Sequence, residues 1–169
     1  MLRNIIVFIL LMKASVAFST QGTISDDWGT SQVTSVAAFA DRIYAVGNSF
    51  KDLIVRVKEK NQGWKTLLEE KKSIDPSSNP IIKISSVGEL FIYGIFENKV
   101  FQKKSNDFGI TWHTTIIFEP KDKTWPIVVG DACLINETSL LLLVGASDLK
   151  NFTSYTWLLR STDSGISWS

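Results

Sequence analysis

Ser161-Thr162-Asp163-Ser164-Gly165-Ile166-Ser167-Trp168 repeats, position by position, the pattern of Ser105-Asn106-Asp107-Phe108-Gly109-Ile110-Thr111-Trp112. Both read Ser-x-Asp-x-Gly-Ile-(Ser or Thr)-Trp, and internal repetition of this kind decides how the rest of the chain is divided. The pattern has a physical meaning of its own. Asp followed two residues later by Gly suits a tight hairpin, because the carboxylate accepts hydrogen bonds from nearby backbone N–H groups and Gly adopts a positive φ at low cost. The Trp three residues beyond the Gly is then placed to plug the turn against a core.

Working outward from these stretches, the chain lays out as three copies of one four-stranded unit, over about 33–70, 81–118 and 127–169. In the first, Val33 to Phe39, Ile43 to Val46, Leu53 to Val57 and Lys65 to Leu68 read as strands, with Asp41 at a turn and Gly47 after the second strand. The second copy has strands at Ile81 to Val87, Leu90 to Ile95, Val100 to Lys104 and His113 to Phe118. The third has Ile127 to Ile135, Leu140 to Val144 and Tyr155 to Arg160, and it stops at Ser169, where a fourth strand is due. Trp64, Trp112 and Trp168, like Gly47, Gly94 and Gly145, step by roughly 50 residues, the period of four-stranded propeller blades. Leu90-Phe91-Ile92-Tyr93 and Leu140-Leu141-Leu142-Leu143 are apolar on both faces, as strands packed between two other sheets must be. The first copy departs at its third turn, where Asn61-Gln62-Gly63-Trp64 lacks the Asp. Ser73 to Pro80 and Glu119 to Trp125 are polar and serve as connections outside the sheets.

With Ser105, Asp107, Gly109 and Trp112 in one copy and Ser161, Asp163, Gly165 and Trp168 in the other, the two stretches resemble the Asp box, or bacterial neuraminidase repeat, of sialidases and related β-propellers. The resemblance implies an all-β, sialidase-like propeller in which about three antiparallel blades are present and the last is cut. It also implies that the box residues are structural: in that family the box is a hairpin between the third and fourth strands, away from the active site. Sialidase propellers close with six blades, so the chain is expected to be the N-terminal part of a longer protein. A half-propeller that self-associates is the alternative, because open sheet edges and faces invite association.

Met1 to about Ala17 reads as a signal peptide: Arg3 in a basic n-region, an apolar run from Ile5 to Met12, and small residues at Ser15-Val16-Ala17. The run is too short to span a bilayer, so the expected localisation is secreted or extracellular, with 18–169 forming one domain. Two sequons, at Asn136 and Asn151, fit that compartment. Without Arg3 and Lys13 the 18 basic residues become 16 against 17 acidic ones, a net charge of about −1 that steers toward neither nucleic acid nor an anionic membrane. A single cysteine, Cys133, rules out an internal disulfide framework and a cysteine-based zinc site, and its apolar neighbours favour a buried thiol. The single histidine, His113, makes no cluster and suits a surface role. No metal or cofactor is expected.

A sialidase binds its substrate carboxylate with three arginines, whose planar forks pair with it bidentately, and uses an Asp acid/base with a Tyr nucleophile assisted by a Glu. The family's first arginine lies in a Phe/Tyr-Arg-Ile-Pro motif. Asp41-Arg42-Ile43-Tyr44 keeps only its Arg-Ile, and Arg56 and Arg160 are the other arginines after the signal. Asp107 and Asp163 are expected to stabilise turns rather than to act as acids. Tyr44, Tyr93 and Tyr155 read as packing aromatics. No catalytic set is therefore identified. Three functional readings stay open: a propeller that recognises glycan or glycoprotein, the N-terminal part of an exo-α-sialidase, and a sortilin-type receptor propeller.

Overall fold

The computed structural model describes residues 31–169; the signal-like segment 1–17 lies outside them. Among the described residues, eleven strands form three antiparallel sheets, each built as a meander. The first sheet holds β1 (Gln32–Phe39), β2 (Arg42–Ser49), β3 (Asp52–Glu59) and β4 (Trp64–Glu70). The second holds β5 (Ile81–Ile84), β6 (Leu90–Phe96), β7 (Lys99–Ser105) and β8 (His113–Phe118). The third has three strands, β9 (Ile127–Leu134), β10 (Leu140–Asp148) and β11 (Thr153–Ser161). This is a partial propeller arrangement: the first strands β1, β5 and β9 stand side by side along an inner wall.

Two apolar layers hold the sheets face to face. Between the first and second lie Tyr44, Val46, Leu53, Val55, Ile82, Leu90, Ile92 and Phe101. Between the second and third lie Phe91, Tyr93, Ile95, Leu140, Leu142, Val144 and Leu159. The middle sheet is accordingly buried on both faces, and Leu90 through Ile95 are all inaccessible. The third sheet differs from the expectation for Leu140-Leu141-Leu142-Leu143: Leu140 and Leu142 turn inward, whereas Leu143 is exposed on the face away from the second sheet. Cys133, opposite Leu141 in the ladder, is also exposed rather than buried, because Ala132 takes the inward place beside it.

Several strand ends also move. β2 and β10 run through Gly47 and Gly145 instead of stopping there. Gly47 is required by close approach rather than by a turn, since a Cβ there would sit 2.0 Å from the Gln32 carbonyl oxygen. β5 ends at Ile84, short of Val87, because Ser85 and Glu89 close a turn with Ser85 N–H donating to Glu89 O (2.9 Å) and Gly88 at φ +88°. In the first sheet the third hairpin closes through Asn61 at φ +62° and Gln62 N–H to Glu59 O (3.1 Å), and Trp64 opens β4 instead of standing in the loop. The connections are tied down: Asp75 accepts from the Glu97 and Asn98 N–H groups (3.0 Å each), and Asn98 Nδ2 donates to Lys123 O and Trp125 O.

Candidate functional site

The two repeated loops share one hydrogen-bond plan. Asp107 Oδ1 accepts from the Ile110 and Thr111 N–H groups (3.1 and 2.9 Å), Oδ2 accepts from the Thr111 hydroxyl (2.6 Å), and Ser105 Oγ donates to Oδ1 (2.8 Å). Asp163 repeats this with Ile166, Ser167 and Ser161 (3.1, 2.9 and 2.8 Å to Oδ1). Each serine hydroxyl also accepts from the glycine N–H, at 2.8 Å. Gly109 and Gly165 take φ of +90° and +81°, and the indoles of Trp112 and Trp168 donate back to their carbonyls at 3.1 and 3.3 Å. These bonds, led by the Thr111 and Ser167 hydroxyls, hold the Asp107 and Asp163 carboxyls down at about 2. A carboxylate so fully engaged is ionised at neutral pH and is a poor proton donor. The loops close β7 onto β8 and follow β11, and Trp112 and Trp168 pack against the two apolar layers.

The opposite kind of surface, open and polar, lies on the inner wall. Thr34 and Ser35 of β1, Asn79, Lys83 of β5, and Gly130 and Asp131 of β9 border a groove of about 330 Å³. Bulges place them there: the β1 ladder skips a residue at Thr34 and the β9 ladder at Gly130, and a bulge re-aims the side chains beside it. Thr34 Oγ1 then bonds Pro80 O at 2.6 Å, locking β1 to the second sheet's entry. Lys83 Nζ meets Asp131 Oδ1 at 3.1 Å, and that bond first, with the Ala132 N–H second, lowers the Asp131 pKa. Donors and acceptors suited to a polyhydroxylated ligand therefore line one wall. Among the described residues the groove carries one carboxylate, whereas hydrolysis of a glycosidic bond ordinarily uses two that flank it.

Arg42 and Arg56 sit on the first sheet and Arg160 on the last strand of the third, so none stands on an inner-wall strand. The carboxylate clamp of a sialidase is not assembled among the described residues. Tyr44 and Tyr93 are fully buried, and burial raises the Tyr93 pKa. Tyr155 stacks between Trp125 (4.6 Å) and Trp157 (5.9 Å). His113 is exposed at the start of β8. Asn136 and Asn151 are exposed on the turns flanking β10. Among the described residues no helix is long and apolar enough to cross a membrane, and no three His, Cys, Asp or Glu side chains group as a metal site. Sequence reasoning missed the inner-wall groove. Its available signal was Gly130-Asp131 inside an otherwise apolar strand, where an isolated glycine suggests a bulge.

No protein-family model matches the chain, and no curated protein matches it. Among solved structures, the chain is similar to a Penicillium chrysogenum α-L-arabinanase complexed with arabinobiose, with a TM-score of 0.59 and 13% identity over 83% of this chain. The fold is propeller-like. The likeness covers 48% of that enzyme, so the chain spans about half the length of the structure it matches.

Proposed function

We propose that the chain is a secreted propeller unit of the Asp-box type whose inner wall binds glycan. One observation carries this reading: the groove across β1, β5 and β9 gathers Thr34, Ser35, Asn79, Lys83 and Asp131 where three first strands converge. Its polar lining matches sugar hydroxyls, and a similar solved structure is an arabinanase complexed with arabinobiose. Recognition is favoured over turnover because, among the described residues, Asp131 stands alone as a carboxylate in the groove and is held ionised by Lys83. The Asp-box assignment rests on the shared bonding of Asp107 and Asp163, and the secreted assignment on the Arg3 to Ala17 pattern with the sequons at Asn136 and Asn151.

The test is binding to immobilised arabino-oligosaccharides and sialyllactose, compared between the wild-type chain and the Lys83→Gln and Asp131→Asn variants. Retention that both substitutions weaken supports the reading. Absence of retention across the panel, or retention that neither substitution changes, overturns it. Release of 4-methylumbelliferone from its sialic acid conjugate would replace it with the exo-α-sialidase reading.

A further inference from the structure

Among the described residues that line the inner-wall groove, Lys83 and Asp131 are the charged ones, and the way they are bonded decides which glycans the groove takes. Asp131 Oδ1 already accepts twice, from Lys83 Nζ at 3.1 Å and from the Ala132 N–H at 2.7 Å. Asp131 Oδ2 accepts no hydrogen bond among the described residues, and the Asp131 side chain is 73% exposed. Lys83 Nζ uses one of its three hydrogens on Oδ1, which leaves two for a ligand.

The two charges cancel, so the groove has no net charge with which to draw an acidic sugar. Of the pair, the carboxylate is also the more exposed, 73% against 31% for the lysine. A ligand carboxylate therefore meets repulsion from Asp131 that offsets the attraction of Lys83. Capture of a carboxylate needs cations whose donors are left for it. A vicinal diol fits the pair better. One hydroxyl donates to Asp131 Oδ2 while its neighbour accepts from Lys83 Nζ, and both bonds are charge-assisted, about twice as strong as neutral ones. Ile81 and Val129 add apolar surface to the same groove, which suits the C–H face of a sugar ring.

Resting on the reading that the inner wall binds glycan, we propose that Lys83 and Asp131 act as one diol-binding pair that makes the groove selective for uncharged glycans over sialylated ones. Asp131 sets the selectivity in two ways. It supplies the acceptor for the diol, and by neutralising Lys83 it denies the lysine to a ligand carboxylate. Removing its charge while keeping its shape should therefore reverse the preference.

Ligand-detected NMR titration of the full chain with arabinobiose, lactose, 6′-sialyllactose and the methyl ester of 6′-sialyllactose tests this. The last two differ in charge at one carboxyl and keep the lactose diols. Wild-type chain should bind the three uncharged ligands, and should bind the free acid at least about threefold more weakly than its ester at low ionic strength. Added salt should narrow that gap. Asp131→Asn should weaken the uncharged ligands severalfold and bind the free acid more tightly than the ester, because Lys83 is then unpaired. Lys83→Gln should weaken all four, the free acid most. Wild-type binding of the free acid as tight as that of the ester would overturn the selectivity and leave the groove a glycan site. An Asp131→Asn chain that kept the wild-type preference would do the same. Binding of none of the four would overturn the inner-wall reading and this inference together.

Discussion

Gln102, in the middle of β7, donates its side-chain Nε2 to the main-chain oxygen of Gly165 at 2.9 Å, across the seam between the second and third sheets. The bond is buried and joins residues 63 apart in sequence. It fixes the second repeated loop to the sheet that carries the first. A Cβ at Gly165 would lie 2.5 Å from Gln102 Oε1, so the pair also sets how close the loop comes. Gln102→Ala is expected to destabilise by about 1–3 kcal/mol, because it orphans a buried carbonyl. Gly165→Ala is expected to cost a similar amount through its positive φ and the clash, about 1–3 kcal/mol. Urea denaturation should show the double variant less destabilised than the sum of the singles; strict additivity would mean that the two residues do not act on each other.

The tryptophans that end the loops anchor them by shape more than by their N–H bonds. Trp112→Ala should cost about 3 kcal/mol, the lower end for an emptied tryptophan site because Trp112 is only partly buried. Trp112→Phe keeps most of the packing and loses the bond to Gly109 O, for about 1 kcal/mol. Equal loss in the two variants, measured by chemical denaturation, would show that the indole N–H carries the effect instead.

Acid should unfold the chain through the same loops. The Asp107 and Asp163 carboxyls stand at about 2 in the folded chain against an ordinary 3.8, so the unfolded chain binds their protons more readily. The stability they contribute is complete above about pH 4 and is lost as pH falls toward about 2. Asp52, Asp122, Asp131, Asp148 and Glu119 are lowered too and add in the same direction. Melting temperatures should therefore fall steeply between those limits. An Asp107→Asn, Asp163→Asn double variant should melt lower at neutral pH and show a shallower fall in acid, and an unchanged slope would contradict the role of the two carboxyls.

The two sequons are not equivalent. Asn136 uses its Oδ1 to accept from the Thr138 and Ser139 N–H groups, at 3.0 and 2.8 Å, and its Nδ2 has no hydrogen-bond partner among the described residues. Asn151 Nδ2 instead donates to the buried Asp148 carboxylate at 2.7 Å. In a eukaryotic secretory host, folded chains should carry glycan at Asn136 more fully than at Asn151, where attachment takes one of the two hydrogens of the Nδ2 that donates to Asp148 and crowds that pair. Peptide mass spectrometry reads the occupancies directly, and the reverse order would contradict this.

What was legible in the sequence and what was not follows from the range of the interactions. The loop bonds of Asp107 and Asp163 connect residues within four positions of each other, and the alternation of Leu90 through Ile95 with polar turns is equally local. Such features can be read from spacing. Gly47 inside β2 was harder, because the Gln32 carbonyl that requires a glycine there arrives from the neighbouring strand. Cys133 was misplaced because an apolar neighbourhood does not tell which face of a strand a residue takes; the bulge at Gly130 alters the register in that strand. The inner-wall groove was invisible for the same reason. Lys83 and Asp131 come together only when separate sheets dock, and so do Arg42 and Phe108.

The self-contained bonding of the repeated loops has a consequence for the order of events during folding. Asp107 finds every one of its partners inside its own octapeptide, so its hairpin can close on the time scale of isolated hairpins, about 1–10 μs, before any sheet has met another. The Gln102–Gly165 bond must wait for docking across 63 residues. Kinetically, weakening Asp107 should slow folding, whereas weakening Gln102 should chiefly speed unfolding. Stopped-flow measurements that found both effects in the unfolding limb would place loop closure after docking instead.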